Sequence, residues 1–420
     1  MQVSDNKKYI FVNDFGAVGD GIHDDTQAIL DAVEYAGTYA EQKMRLQICF
    51  ASTPKGFYKI TGIDIPSTFT VGTWQGFGEC RIKHTDETPF RIESDELTIS
   101  DIQFEYIGEK KTSEYQTSDS YVFKDNRKHD RLDFDLTLNN CKFTNYPNIV
   151  YARGRGVHII DCSLNMISNR ILVCEFPSRS QVWVPHETGH ASYYNGIRGF
   201  FIERCRLHYC EARIIEVLND PEKVMQGVSI QNNFIEGGAT YFKGACKNLI
   251  IKDNLHIHAY ETRGALVITD RLTDATLDFQ VTGYDNRDGS TRSVPTLLSA
   301  FGTVSSVRVQ GRARNVTDGI VYLQGNAYNY VQDLIIDDWR NSNRNWIGCL
   351  ILDGFTYRNI YVGGSYYPNV QPSQGFINVC NVNNNNGANL AHYNFANALV
   401  GNVNHRKTNY IQDNGSGINP

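Results

Sequence analysis

A chain of 420 residues with 41% hydrophobic and 20% charged side chains has the make-up of an ordinary folded protein, which excludes a disordered or fibrous one. Its formal net charge of −6 argues against a chain built to coat nucleic acid or an anionic membrane, because such partners require a basic face. Ten cysteines with no close CxxC pair exclude a disulfide scaffold and a short-spaced zinc site, and no run of about 18 apolar residues offers a membrane span.

The N-terminus, Met1 to Lys8, is polar and lacks the apolar stretch of a signal peptide. This fits a particle assembled in the cytoplasm, such as a virion, or a chain whose leader has been removed. The segment Phe11 to Thr26 runs from a short strand through a turn punctuated by Gly16, Gly19 and Gly21 into a helix start. Ala28, Ile29, Ala32, Val33 and Ala36 then share one helical face, and Asp24, Asp25 or Thr26 stands where an N-cap is needed. A helix cap is therefore the expected role of both aspartates, in preference to catalysis.

From residue 97 a unit recurs in which apolar first and third positions are followed by two polar ones and further inward positions. Copies begin at Leu97, Leu136, Val157, Phe200, Val228 and Leu249, the last five starting 21, 43, 28 and 21 residues apart, with weaker copies near Leu277, Val307, Leu334 and Ile360. The sixth position reads Ile102, Cys141, Cys162, Cys205, Asn233, Asn254. Like residues at one station are what stacked coils produce, since thiols pack on thiols and amides bond in a ladder. The three cysteines are thus expected to be a buried stack and not a metal site. Second strands are expected at Ile149–Ala152, Ile171–Cys174, Ile214–Leu218, Ala265–Thr269, Ile320–Gln324 and Cys349–Asp353. Length alone would suggest roughly two to three domains, but a repeat of this kind extends one core indefinitely.

The opening Asp14-Phe15-Gly16-Ala17-Val18-Gly19-Asp20-Gly21, the Asp24-Asp25-Thr26 that follows, and Gly56-Phe57-Tyr58-Lys59-Ile60 with Gly76-Phe77-Gly78 resemble the start of the pectate-lyase-like superfamily, which includes polygalacturonase relatives, β-1,3-glucanases and phage tailspikes. The resemblance implies an all-β, right-handed, single-stranded parallel β-helix of about ten coils, with a short N-terminal helix capping the open end. Residues 1–45 are expected to form that cap, 46–367 the solenoid and 368–420 a loop-rich tail. It further implies a polysaccharide-degrading enzyme, a homotrimer, and a virion tail or extracellular location.

On the outer face of such a solenoid, glycoside cleavage calls for two carboxylates. Glu175 and Glu216 share strand parity, as do Arg170 and Arg213 beside them. On adjacent coils the two glutamates would stand about 8 Å apart, the range of inverting hydrolases, and with an extra coil between them roughly 12 Å. The 43-residue interval is read as one long loop, because Pro177 to Asn195 has no clean repeat. That loop carries Trp183, His186, Glu187, His190, Tyr193 and Tyr194 as expected sugar-binding residues. His186-Glu187-Thr188-Gly189-His190 matches HExxH, but Pro185 and Gly189 disfavour the helix that a zinc protease needs. A polygalacturonase-like set is incomplete. Asn315-Val316-Thr317-Asp318-Gly319 and Asp337-Asp338 are present, GHG is missing, and Arg81-Ile82-Lys83 comes too early. Asp318 stays as a third catalytic candidate. No cofactor or metal is expected for a hydrolase. The sister reading, a uronate lyase, would use Arg170, Arg213 or calcium to neutralise the substrate carboxylate, and a non-catalytic glycan-binding fibre is the alternative class.

Overall fold

The computed structural model describes residues 7–39, 45–69, 71–109, 119–127, 135–153, 156–175, 198–218, 224–259, 265–285, 291–292, 297–314, 321–324, 330–341, 350–353, 356–364, 377–382, 390–394, 403–405 and 411–413, and from 310 onward the backbone alone. It divides into two units, Met1–Ala212 and Arg213–Pro420.

In the first unit each coil contributes short strands to three parallel ladders. The first ladder joins Lys7–Phe11, Arg45–Phe50, Val71–Gly76, Glu96–Ser100, Asp135–Asn139, Val157–Ile160 and Arg198–Glu203. The second joins Tyr58–Ile60, Arg81–His84, Gln103–Tyr106, Lys142–Thr144, Ser163–Asn165 and Arg206–His208. The third joins Ile63–Ile65, Phe90–Ile92, Tyr121–Asp125, Asn148–Ala152 and Arg170–Glu175. Every strand pairs with its counterpart one coil on, which is the right-handed parallel β-helix. The repeat register is as expected: Leu97 pairs Leu136, Leu136 pairs Val157, and Val157 pairs Phe200. Leu164 likewise pairs Leu207, so the 43-residue interval adds no coil.

The two polar positions of the repeat have a backbone reason. Asp101, Asn140, Asp161 and Arg204, each fifth in its unit, have φ of 62°, 51°, 55° and 54°, the left-handed region that Asp and Asn tolerate best. This single residue turns the chain from the first ladder to the second. Asn145, Met166 and Tyr209 repeat the device at the tenth position, with φ of 64°, 56° and 50°.

The sixth position then points inward. Ile102, Cys141, Cys162 and Cys205 are buried, and Cys80 joins the same stack, since its carbonyl accepts from Gln103 as Ile102 accepts from Lys142. The Cys162 sulfur accepts from the Cys141 N–H at 3.4 Å, and the thiols otherwise donate to carbonyls such as Ile160 and Glu203. The eight cysteines whose side chains are described are all buried thiols. Aromatic rings fill the rest of the core, with Phe104 stacked on Phe143 at 5.2 Å and Trp74 edge-on to Phe90 at 5.8 Å.

Helix α1 (Thr26–Gly37) buries Ile29, Ala32, Val33 and Ala36, the expected face, while Ala28 is half-buried. The expected capping role is met by Asp24, whose carboxylate accepts from the N–H of Thr26 at the helix start, and is corrected for Asp25. Asp25 occupies the N-cap position but makes no side-chain cap bond. Its buried carboxylate accepts instead from the N–H groups of Val18 at 2.6 Å, Gly19 and Lys59. Asp24 accepts from the Thr26 N–H and the Thr61 hydroxyl. Both therefore tie the glycine turn and the helix to the first coils. Gly19 is required there, with φ of 68° and a Cβ position 2.8 Å from Thr53.

In the second unit pairs of short strands give way to single long ones. Met225–Gln231 and Phe234–Glu236 pair with one strand, Cys246–Ala259, and later coils run as Val267–Asp285, Leu298–Arg314, Tyr330–Asn341 and Thr356–Gly364. A further ladder of this unit joins Arg213–Leu218, Thr240–Lys243, the start of Val267–Asp285, the start of Leu298–Arg314, Val321–Gln324 and Leu350–Asp353. One short pairing, Tyr284 with Arg292, is antiparallel. Leu277 pairs Ile251 and so holds the third position of its unit, which begins at Ala275, two residues before the expected start. The amide ladder forms as expected. Asn254 Oδ1 accepts from the Asn233 N–H at 3.0 Å and from its side-chain amide at 2.9 Å, and Asn254 donates to the Ile230 carbonyl at 2.7 Å. Beyond residue 368, Ile377–Val382, Leu390–Asn394, Val403–His405 and Ile411–Asp413 pair in parallel with earlier strands or one another. Among the described residues no helix is long and apolar enough to cross a membrane.

Candidate functional site

The outer face of the third ladder in the first unit gathers the chemistry. Strand alternation turns Phe123, Val150 and Leu172 into the core; Lys124 and Tyr151, which follow the first two, are half-buried on the other face, while Val173 after Leu172 is fully buried. One outward row, read across the coils, is Asp64, Arg91, Lys124 and Tyr151, each paired with the next. Arg91 bonds Asp64 and, at 2.7 Å, Asp86. Lys124 Nζ lies 5.8 Å from the centre of the Tyr151 ring, and the Arg153 guanidinium lies 5.8 Å from the same ring. Tyr151 in turn packs on Tyr121, with ring centres 5.2 Å apart.

Glu175 ends the Arg170–Glu175 strand of this face and pairs with Arg153 at 3.4 Å, both side chains 43% exposed. Arg170 starts that strand and donates to Asp119 at 2.8 Å, and the Tyr121 hydroxyl donates to the same carboxylate oxygen at 3.4 Å. Burial, with Asp119 beside it, pushes the Tyr121 hydroxyl up to about 12, so it remains a proton donor at neutral pH. Two rings, three cations and two carboxylates thus stand on, or just beyond the ends of, three successive strands.

Glu216 and Arg213 lie in the second unit. Glu216 is 3% exposed, with Arg213 donating to its two oxygens at 2.8 and 2.7 Å and Lys243 donating at 3.0 Å. Lys243 is the residue paired with Glu216 on the next strand, so the trio is built by register alone. The two candidate glutamates therefore differ: Glu175 is accessible beside one arginine, and Glu216 is enclosed by two cations. Trp183, His186, Glu187, His190, Tyr193, Tyr194 and Asp318 lie outside the described residues. Asp337 and Asp338 fall in the Tyr330–Asn341 strand at a register shift, where two residues oppose one. Arg81 and Lys83 sit on the second ladder, with Glu79 and Glu105 as their respective partners.

The residues that sequence reasoning passed over are Asp119, Tyr121, Lys124, Tyr151 and Arg153. Alternation within Ile149–Ala152 carried a signal for Tyr151. Its neighbours across the coil could not be aligned, because 39 residues separate Leu97 from Leu136 and hide the Tyr121–Asp125 strand. Among the described residues no group of three or more His, Cys, Asp or Glu side chains could hold a metal ion.

Comparisons with known proteins bear on the fold. No family profile matches the chain, and no curated protein matches it. Solved structures do. The A-module of mannuronan C-5 epimerase AlgE4 from Azotobacter vinelandii is 13% identical, covering 94% of this chain and 100% of its own, with a TM-score of 0.45. An exopolygalacturonase from Thermotoga maritima is 9% identical, covering 89% of this chain and 88% of its own, with a TM-score of 0.36. Tailspike protein 3 of bacteriophage CBA120 is 9% identical, covering 91% of this chain and 63% of its own, with a TM-score of 0.42.

Proposed function

We propose that this protein acts on a polysaccharide laid across the outer face of the third ladder. The observation that carries the reading is Tyr151, an outward ring flanked by Lys124 and Arg153, with Arg153 paired to the half-exposed Glu175. A ring face stacks on the apolar face of a sugar, and charged donors around it bind hydroxyls and carboxylates. Strand spacing of about 4.8 Å repeats such contacts along an extended chain, which suits a polymer better than a small ligand.

The preferred reaction is hydrolysis by carboxylates, for which the candidates are Glu175, exposed on this face of the first unit, and, in the second unit, Glu216, enclosed by Arg213 and Lys243. Asp318 is the further catalytic candidate, and Trp183, His186, Glu187, His190, Tyr193 and Tyr194 are the candidate sugar-binding residues. A second reading is favoured by the cations of this face. Lys124, Arg153 and Arg170 would neutralise a uronate carboxylate, with or without calcium, so that a base could take the adjacent proton in a lyase reaction. The opening motif's likeness to tailspikes adds an extracellular or virion location and a homotrimer.

The test is incubation with alginate, polygalacturonate, xanthan and bacterial capsule and O-antigen preparations, following reducing ends and the ultraviolet absorbance of unsaturated uronate. Hydrolysis raises the first alone, and a lyase raises both. Glu175→Gln is expected to lower either signal by at least about a hundredfold while binding persists. Binding without cleavage by the wild-type chain would make it an adhesin, and neither binding nor cleavage would refute the proposal. Light scattering reads the trimer directly.

A further inference from the structure

A core row of the third ladder contains one charged residue. Ile65, Ile92, Asp125, Ala152 and Cys174 follow one another at one inward station, and all are buried, Asp125 at 2% exposure. Asp125 is paired with Arg127, itself 8% exposed, through Nε at 2.9 Å and Nη2 at 3.0 Å. Stability alone favours an apolar residue there, because desolvating two charges offsets most of what their attraction returns.

The pair is aimed at one backbone unit. Asp125 Oδ2 accepts from the Arg153 N–H at 3.0 Å, and Arg127 Nη2 donates to the Arg153 carbonyl at 3.2 Å. Arg153 is the first residue beyond the Asn148–Ala152 strand, and the register of that strand with the next ends at Ala152 with Cys174. Its backbone is thus held by the ion pair where the ladder stops. Its side chain then reaches over Tyr151 and to Glu175.

We propose that Asp125 and Arg127 are positioning residues, whose role is to fix Arg153, and through it Glu175, on the polysaccharide face; this rests on the function proposed above. The pair touches no substrate. It sets the geometry of a group that does, where a displacement of about 1 Å can cost a hundredfold.

The test replaces the pair by apolar residues of similar volume, Asp125→Leu with Arg127→Met, in the full chain. The melting temperature is expected to stay within a few degrees, and amide exchange at Arg153 to accelerate by at least about tenfold. Retention in affinity gels containing alginate, polygalacturonate or capsule is expected to weaken roughly ten- to hundredfold. Adding Arg153→Ala to the double variant should weaken retention no further than Arg153→Ala alone, because the pair acts through that residue. Additive losses, unchanged retention, or unchanged exchange at Arg153 would overturn the inference. Should the double variant not fold, Arg127→Lys keeps the charge but loses the fork, and the same readouts apply. If the wild-type chain is retained by no polysaccharide, the proposed function fails, while the exchange at Arg153 still decides whether the pair positions it.

Discussion

Acid should loosen the first unit through one buried imidazole. His84 is fully buried and stacks on Tyr146, with ring centres 5.6 Å apart. Its Nδ1 lies 2.7 Å from the Asp86 carbonyl, which can only accept, so Nδ1 carries the hydrogen. Nε2, 2.7 Å from the Tyr146 hydroxyl, must then accept from it. Protonation would turn the Tyr146 hydroxyl from donor to acceptor and bury a charge, and burial accordingly pushes His84 down from 6.5 to about 4. Between those values the unfolded chain binds the extra proton, so stability falls as pH drops. The contribution is complete above about pH 6.5, is lost down to about pH 4, and does not change further below that. A shift of this size corresponds to about 3 kcal/mol. Urea unfolding at pH 7, 5.5 and 4.5 would compare the wild-type chain with His84→Phe/Tyr146→Phe, which leaves neither an imidazole nor an orphaned hydroxyl. The wild type should lose about 2 kcal/mol more than the variant over that range, most of the full amount. Equal acid sensitivity in the two proteins would refute the argument.

Further outcomes follow from single positions. His256 in the second unit, fully buried with Nε2 at 2.8 Å from the Gly237 carbonyl, is likewise pushed down to about 4, and His256→Phe should flatten the same pH window in amide exchange of its own strand. Asn254→Ala removes the acceptor of two Asn233 donors and should destabilise by about 2–3 kcal/mol in urea unfolding, with faster exchange at the Asn233 amide. Tyr209→Asn should stabilise by roughly 0.5–1 kcal/mol in the same assay, because the tyrosine is 67% exposed and holds a left-handed φ that Asn tolerates better. Glu216→Gln leaves Arg213 and Lys243 facing a neutral amide and should cost about 3 kcal/mol, so its activity must be read at a temperature where circular dichroism shows it folded.

What the sequence determined by itself was the solenoid. Stacking places chemically like side chains at one station, so Cys141, Cys162 and Cys205, then Asn233 and Asn254, announce the coil before any coordinate is known. The Asp and Asn residues that precede them mark the left-handed turn for the same reason. Cys80 escaped because Gly76 to Glu79 lengthen its turn and shift it out of phase. Asp25 was placed correctly at the helix start but given the wrong task, since capping and turn-binding aspartates look alike in one dimension. The candidate site was legible only in part. Glu175, Arg170, Glu216 and Arg213 stood out by strand parity, whereas their partners Arg153, Asp119 and Lys243 come from other coils. Which residues meet across coils depends on the length of every intervening loop, and local pattern carries no record of that sum. Tertiary register alone therefore decided that Tyr151 lies between Lys124 and Arg153, and that a buried aspartate in an apolar row holds the arginine in place.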